Sequence, residues 1–194
     1  MKTLKYWSLN ASDKNSIELR VDNRHLLCLS VLEQALIRVT LKRHGQFALD
    51  RTWSIAPQED VPWEGRPRES LAGFSLPGYA LTEQDDRLII ATEQLRVTVH
   101  QPLWLEWHYR NSGGEWVFLA SDRPSGAYLL NAHGDGVAHY QRRMNDDRYY
   151  GLGEKAGDLQ RNGRRVEMRN LDARGYNAAS TDPLYKHVPF TLTH

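Results

Sequence analysis

Apolar and polar residues alternate with a period of two along most of this chain. Ser16-Ile17-Glu18-Leu19-Arg20-Val21 alternates strictly, which predicts a half-buried strand. Asp22-Asn23 supplies a turn, and the near-continuous apolar run Leu26 to Leu32 reads as a more buried strand. Two periods then compete. Val31, Ala35 and Leu36 have helical spacing, whereas Ile37, Val39 and Leu41 alternate with Arg38, Thr40 and Lys42. The second pattern predicts a strand over 36–43, preceded by a turn or a helical turn. Residues 1–12 read as an edge strand or a tail.

Residues 50–73 contain Pro57, Pro62 and Pro67. Proline cannot donate to a ladder, so this span is a long loop, with short edge pieces at most. Trp53 and Trp63 in it have two readings. They form a sugar-stacking platform, or, as the bulk of the indole favours, they pin the loop to the core.

From Gly78 the pattern is regular. Strands are predicted at Tyr79–Leu81, Arg87–Ala91, Leu95–His100, Leu103–Tyr109 and Trp116–Ala120. In the fourth, Leu103, Leu105, Trp107 and Tyr109 form the core side, and Trp104, Glu106, His108 and Arg110 the other. A hairpin follows, Ala127–Asn131 and Val137–Met144, across His133-Gly134-Asp135-Gly136. Short strands with turns every 8–12 residues or so give an all-β fold, a sandwich or a barrel.

The last fifth, Arg148 to Phe190, reads as two short strands separated and flanked by loops. Tyr149 and Tyr150 run into Gly151-Leu152-Gly153, and Val166 and Met168 alternate with Arg165, Glu167 and Arg169. Beyond Asn170 lies a loop rich in Gly, Asn, Ser, Thr, Asp and Pro, the kind of segment that carries binding groups on a scaffold. Pro189-Phe190 starts a further extended segment.

Three patches here resemble the N-terminal domain of glycoside hydrolase family 31, the α-glucosidases and α-xylosidases. They are Tyr150-Gly151-Leu152-Gly153-Glu154-Lys155, then Asn170-Leu171-Asp172-Ala173, where the family has Asn-x-Asp, then Asp182-Pro183-Leu184-Tyr185-Lys186 with Val188-Pro189-Phe190. Upstream of Asp147 the resemblance is one of strand pattern. It implies a large two-sheet antiparallel β-sandwich of the galactose-mutarotase-like type, ahead of a (β/α)8 barrel. It also implies that Asp172 bonds sugar hydroxyls over the barrel mouth and that Tyr185 lines the pocket, with Arg174 able to face it. A carboxylate suits the task because it accepts two charge-assisted hydroxyl bonds. The alternative for Asp172 is an Asx turn bonded to its own backbone, and for Tyr185 a place in the core.

Glycoside hydrolysis needs two carboxyl groups flanking the scissile bond. The family's pair are barrel aspartates, and neither of their motifs occurs in this chain. The expectation is therefore one N-terminal sandwich domain over 1–194, inert by itself, with the barrel beyond residue 194. Its partners would be an α-linked oligosaccharide or glycoside and its own barrel. A docking face for that barrel would be apolar, so homo-oligomers of the isolated chain are expected. Glu154 and Lys155 are expected to brace the Gly-Leu-Gly turn and not to act as catalysts.

Charge and composition narrow the rest. The 194 residues carry a net charge of +1, against a nucleic-acid partner. The Arg-rich run 161–169 is flanked by acids and reads as a solvated strand face. Cys28 is the single cysteine and sits in an apolar run, which makes it a core residue. The eight histidines show no metal-ligand spacing, the loosely grouped His133, Asp135 and His139 included, and no phosphate loop is present, so no metal or cofactor is expected. No stretch approaches the roughly 18 apolar residues of a membrane helix, and the N-terminus lacks a signal-peptide core, which reads as cytoplasmic and without membrane contact. The competing class is a free-standing carbohydrate-binding or aldose-epimerase-like sandwich. An epimerase needs a His–Glu acid–base pair on its sheet, with His100, His108 and Glu106 as candidates. A third reading is a sandwich that serves only packing and oligomer contact.

Overall fold

A computed structural model describes residues 1–55, 57 and 61–194. The chain has two compact units, Met1–Arg142 and Arg143–His194. Among the described residues the structure is strand and loop, with one 3-10 turn at Arg43–Gly45. Among the described residues no helix is long and apolar enough to cross a membrane.

The first unit is the sandwich. One sheet has four antiparallel strands in chain order: β2 (Trp7–Asp13), β3 (Ser16–Val21), β4 (His25–Glu33) and β5 (Leu36–Lys42). β2 lies at the edge, and a turn separates β4 from β5, as the sequence pattern predicts. The other sheet has five: β6 (Ala80–Gln84), β7 (Arg87–Ala91), β8 (Leu95–His100), β9 (Trp104–Arg110) and β10 (Trp116–Ser121). A small third sheet joins β1 (Lys2–Thr3), β11 (Tyr128–Leu130) and β12 (Val137–His139).

The period-two pattern determines which residues meet. Ile17 pairs with Leu29 and Leu19 with Leu27 across β3 and β4, and all four are fully buried. In the facing sheet Ile90 pairs with Val97 and Leu88 with Val99, again fully buried. The two sets form a single core with Leu4, Trp7, Leu105 and Tyr128. Each such aliphatic side chain contributes about 1.5–3 kcal/mol by leaving water. A slip of one residue would turn each strand's apolar set outward.

β4 is buried on both faces, as its continuous apolar run predicts. Cys28 and Ser30 point away from the core and are still covered. The cover is the loop after β5. Arg38 donates to the carbonyls of Glu69 (2.9 Å) and Ser70 (3.2 Å), and Lys42 Nζ lies 3.0 Å from the Glu69 carboxylate. Burial pushes the Cys28 thiol up to about 11, so it stays protonated and unreactive.

Three expectations need correction. Trp53 and Trp63 do not pin their loop to the core: they are 53% and 95% exposed. The Trp53 indole donates to the Trp63 carbonyl at 2.8 Å, so its polar tip is satisfied inside the loop. Residues 56 and 58–60 of that loop lie outside the described residues. On β9 the division into faces is less sharp than the alternation implies. Leu105 is buried, but Tyr109 is exposed where the strand passes the edge of the core, and Trp104 also packs on the core. In the hairpin the second strand ends at His139, beyond which an isolated bridge joins Gln141 to Asp122.

Candidate functional site

The second unit is built on β13 (Tyr149–Gly151), paired antiparallel with β14 (Thr191–Thr193). The Gly-Leu-Gly turn leaves β13 with three successive positive φ angles, +99° at Gly151, +70° at Leu152 and +78° at Gly153. A Cβ on Gly151 would lie 2.5 Å from the Phe190 carbonyl, and one on Gly153 2.6 Å from that of Lys186. Glycine is required both for the turn and for this close approach.

The charged pair after the turn braces it. Glu154 donates its amide to the Lys186 carbonyl (2.8 Å) and accepts the Lys186 amide on its carboxylate (3.1 Å). Lys155 extends inward, its side chain 1% exposed, to the Glu167 carbonyl, the Asp182 carboxylate and His187 Nδ1.

The strand predicted around Val166 and Met168 does not form; 164–170 is irregular. Side chains take its backbone acceptors: Lys155 binds the Glu167 carbonyl and His187 binds that of Arg169. Nor is the Arg-rich run wholly solvated. Arg161 is buried, within bonding distance of the Gly151 and Asp158 carbonyls, and Arg164 donates to Ala156.

The loop predicted to bind is closed at its base by the Leu171 amide on the Leu184 carbonyl, 3.2 Å. Its far part turns on Asn177. That side chain accepts the Ala179 amide, its carbonyl accepts the amides of Ser180 and Thr181, and its own amide donates to Thr181 Oγ1. The Asx turn considered for Asp172 is thus made by Asn177. Asp172 directs its carboxylate to Arg174 Nε at 3.0 Å, with side chains 64% and 89% exposed. An ion pair so exposed contributes about 0–1 kcal/mol and opens readily to a competing hydrogen-bonding ligand. Tyr185, half-exposed, donates its hydroxyl to the Ala173 carbonyl at 3.2 Å. The three residues expected from sequence therefore meet at one turn of one loop.

Beside that turn is an open cleft of about 430 Å³, lined by Glu154, Lys155, Ala156, Tyr176, Ala178, Leu184 and Tyr185. Sequence reasoning missed Tyr176 and Leu184. The available signal for Tyr176 was an aromatic residue directly after Gly175 in a loop already read as binding.

The acid–base candidates of the sandwich are less available. His100 stacks on Trp104 with centroids 3.8 Å apart, and His108 Nε2 lies 3.8 Å from the Glu106 carboxylate. Burial holds both imidazoles below their ordinary pKa. His100 Nε2 and His108 Nδ1 are sealed from solvent without partners, so no substrate atom can reach them in this geometry. His139 is engaged by Asp122, and among the described residues no group of three His, Cys, Asp or Glu side chains could hold a metal.

The family model for the glycosyl hydrolase 31 N-terminal galactose mutarotase-like domain matches residues 26–194. The chain belongs to this family. The same architecture occurs in solved structures. A Flavobacterium johnsoniae family 31 dextranase, crystallised with isomaltotriose or with glucose, superposes with a TM-score of 0.72 at 24% identity, over 98% of this chain and 21% of that one. A Xanthomonas citri family 31 α-xylosidase gives 0.65 at 17% identity, over 95% and 18%. The cycloalternan-forming enzyme of Listeria monocytogenes, in complex with a pentasaccharide substrate, gives 0.63 at 16%, over 98% and 16%. At these identities the likeness shows the domain's fold. The domain spans about a fifth of the length of these enzymes. No curated protein matches the chain.

Proposed function

We propose that this domain forms part of the substrate pocket of a retaining α-glycosidase, an α-glucosidase in the first instance, and that it does no chemistry alone. Its catalytic barrel would lie beyond residue 194. Asp172 would accept sugar hydroxyls, Tyr185 would present a ring face and one polar tip, and Arg174 would release Asp172 on binding. The observation that carries this reading is the convergence of Asp172, Arg174 and Tyr185 on one exposed turn of a family 31 domain. Two further features support it. Glu154, the acid nearest the cleft, is committed to the Lys186 amide. The exposed apolar side chains of the same unit, Val188, Phe190 and Leu192, suit contact with a further domain.

The test is hydrolysis of an aryl α-glucoside by this 194-residue chain and by the product of the full reading frame that contains it. Cleavage by the longer protein alone is expected. Asp172→Ala in it should lower kcat/KM by about 10- to 100-fold, the loss of a charge-assisted hydrogen-bond set. Cleavage by the 194 residues alone would overturn the proposal and move the search for the carboxyl pair into this domain.

A further inference from the structure

Lys155 places a charge where water does not reach, its side chain only 1% exposed. An ammonium has three protons to donate. Each finds an acceptor: the Glu167 carbonyl at 2.7 Å, Asp182 Oδ1 at 3.1 Å and His187 Nδ1 at 2.7 Å. Because His187 Nδ1 faces an ammonium it must accept, so its proton is on Nε2, which lies 2.8 Å from the Arg169 carbonyl.

These acceptors come from opposite sides of one loop. Glu167 and Arg169 precede the Asp172 loop; Asp182 lies on its returning limb and His187 follows it. The Leu171–Leu184 backbone bond closes the loop between them. Lys155 and His187 therefore tie the incoming strand of chain to the outgoing one through side chains, where no β-ladder does so. Removing one partner from such a buried, fully satisfied set leaves the others uncompensated and is costly.

We propose that Lys155 is a positioning residue: it clamps the stem of the loop and so sets the place of Asp172 and Tyr185 for the sugar. This rests on the reading that the loop contacts sugar. Lys155 does not itself touch substrate, since its charge is sealed and its three protons are taken.

Two measurements test it. The first is amide hydrogen exchange in this chain, comparing Lys155→Met, Lys155→Arg and the parent sequence. The Leu171 and Thr181 amides should exchange at least about tenfold faster in Lys155→Met and recover in part in Lys155→Arg, with β8 and β9 unchanged. Asp182→Asn keeps an acceptor but not the charge, and serves if Lys155→Met leaves the unit unfolded; it should give a smaller acceleration of the same two amides. Unchanged exchange at Leu171 and Thr181, or an equal rise throughout the sandwich, overturns the clamp. The second is kinetics of the full-reading-frame product. Lys155→Met should raise KM about tenfold with kcat within about threefold, and adding Asp172→Ala to it should cost at least about threefold less in kcat/KM than Asp172→Ala costs the parent. Full additivity overturns the positioning role. If the amides loosen but Asp172→Ala alone leaves kcat/KM unmoved, the sugar-contact reading has failed and the positioning of Asp172 for sugar falls with it.

Discussion

His139 Nε2 meets Asp122 Oδ1 at 2.7 Å, and through this contact β12 is held to the end of β10. The Asp122 side chain is 2% exposed, and its other oxygen accepts the Leu105 amide of β9 at 3.0 Å. Tyr128 stacks on His139 with centroids 4.6 Å apart. Burial, and then the Asp122 charge, push the Tyr128 phenol well above its ordinary pKa. One carboxylate at the end of β10 thus holds β9 and, through β12, the small sheet. Asp122→Ala strands a buried amide and an imidazole, and should cost about 3 kcal/mol in a urea midpoint at pH 7. His139→Ala, removing a part-exposed ring, should cost less than half as much.

Acid should weaken the fold in a defined window. His25, His100 and His108 all have lowered pKa values, with burial the leading cause in each. A base with a depressed folded-state pKa contributes stability that is present above its unfolded value of 6.5 and is lost as pH falls through the folded value. The melting temperature should hold from pH 8 to about 6.5 and fall below it, before carboxylates such as Glu33 and Asp86, themselves lowered, begin to protonate. His108→Gln should flatten that slope; a parallel slope in the variant would count against its part.

Two tryptophans should behave oppositely. Trp7 is 8% exposed, and its indole donates to the His100 carbonyl at 2.8 Å, linking the two sheets. Trp7→Ala should cost about 3–5 kcal/mol. Trp63→Ala, at 95% exposure, should stay within about 0.5 kcal/mol of the parent in the same denaturant titration.

Gly153→Ala should damage the second unit selectively. Its φ of +78° and the Lys186 carbonyl 2.6 Å from a new Cβ leave no relaxed solution. A non-glycine residue in that region costs about 1–3 kcal/mol before the clash is counted. Limited proteolysis should cut within 143–194 while the thermal transition of the sandwich is unchanged. Equal resistance to protease would show that the turn tolerates the methyl.

Much of the sandwich was legible because its signal is local. Ser16–Val21 alternates strictly, and the observed strand has the same bounds with Ile17, Leu19 and Val21 buried. Such a pattern needs no knowledge of the partner strand. The candidate loop was legible through three short motifs, and these bring Asp172, Arg174 and Tyr185 together. The strand at Val166–Met168 was misread for a physical reason. Alternation reports which faces differ in polarity, not whether a neighbour offers a ladder. Here Lys155 and His187 take the backbone acceptors first. Trp63 was misread because residue type gives the benefit of burial, not whether a surface is within reach.

Period, turn chemistry and contiguous motif are local properties of the chain, and they suffice for the all-β class, most strand positions, the inward faces of strands such as β3 and the family. Tertiary structure alone decided that Lys155, Asp182 and His187 form one buried cluster, that Asn177 and not Asp172 makes the Asx turn, and that the Asp122 carboxylate holds both β9 and β12. Those outcomes depend on groups far apart in the chain meeting within about 3 Å, and hydrogen-bond energy is too short-ranged to leave a trace in local pattern.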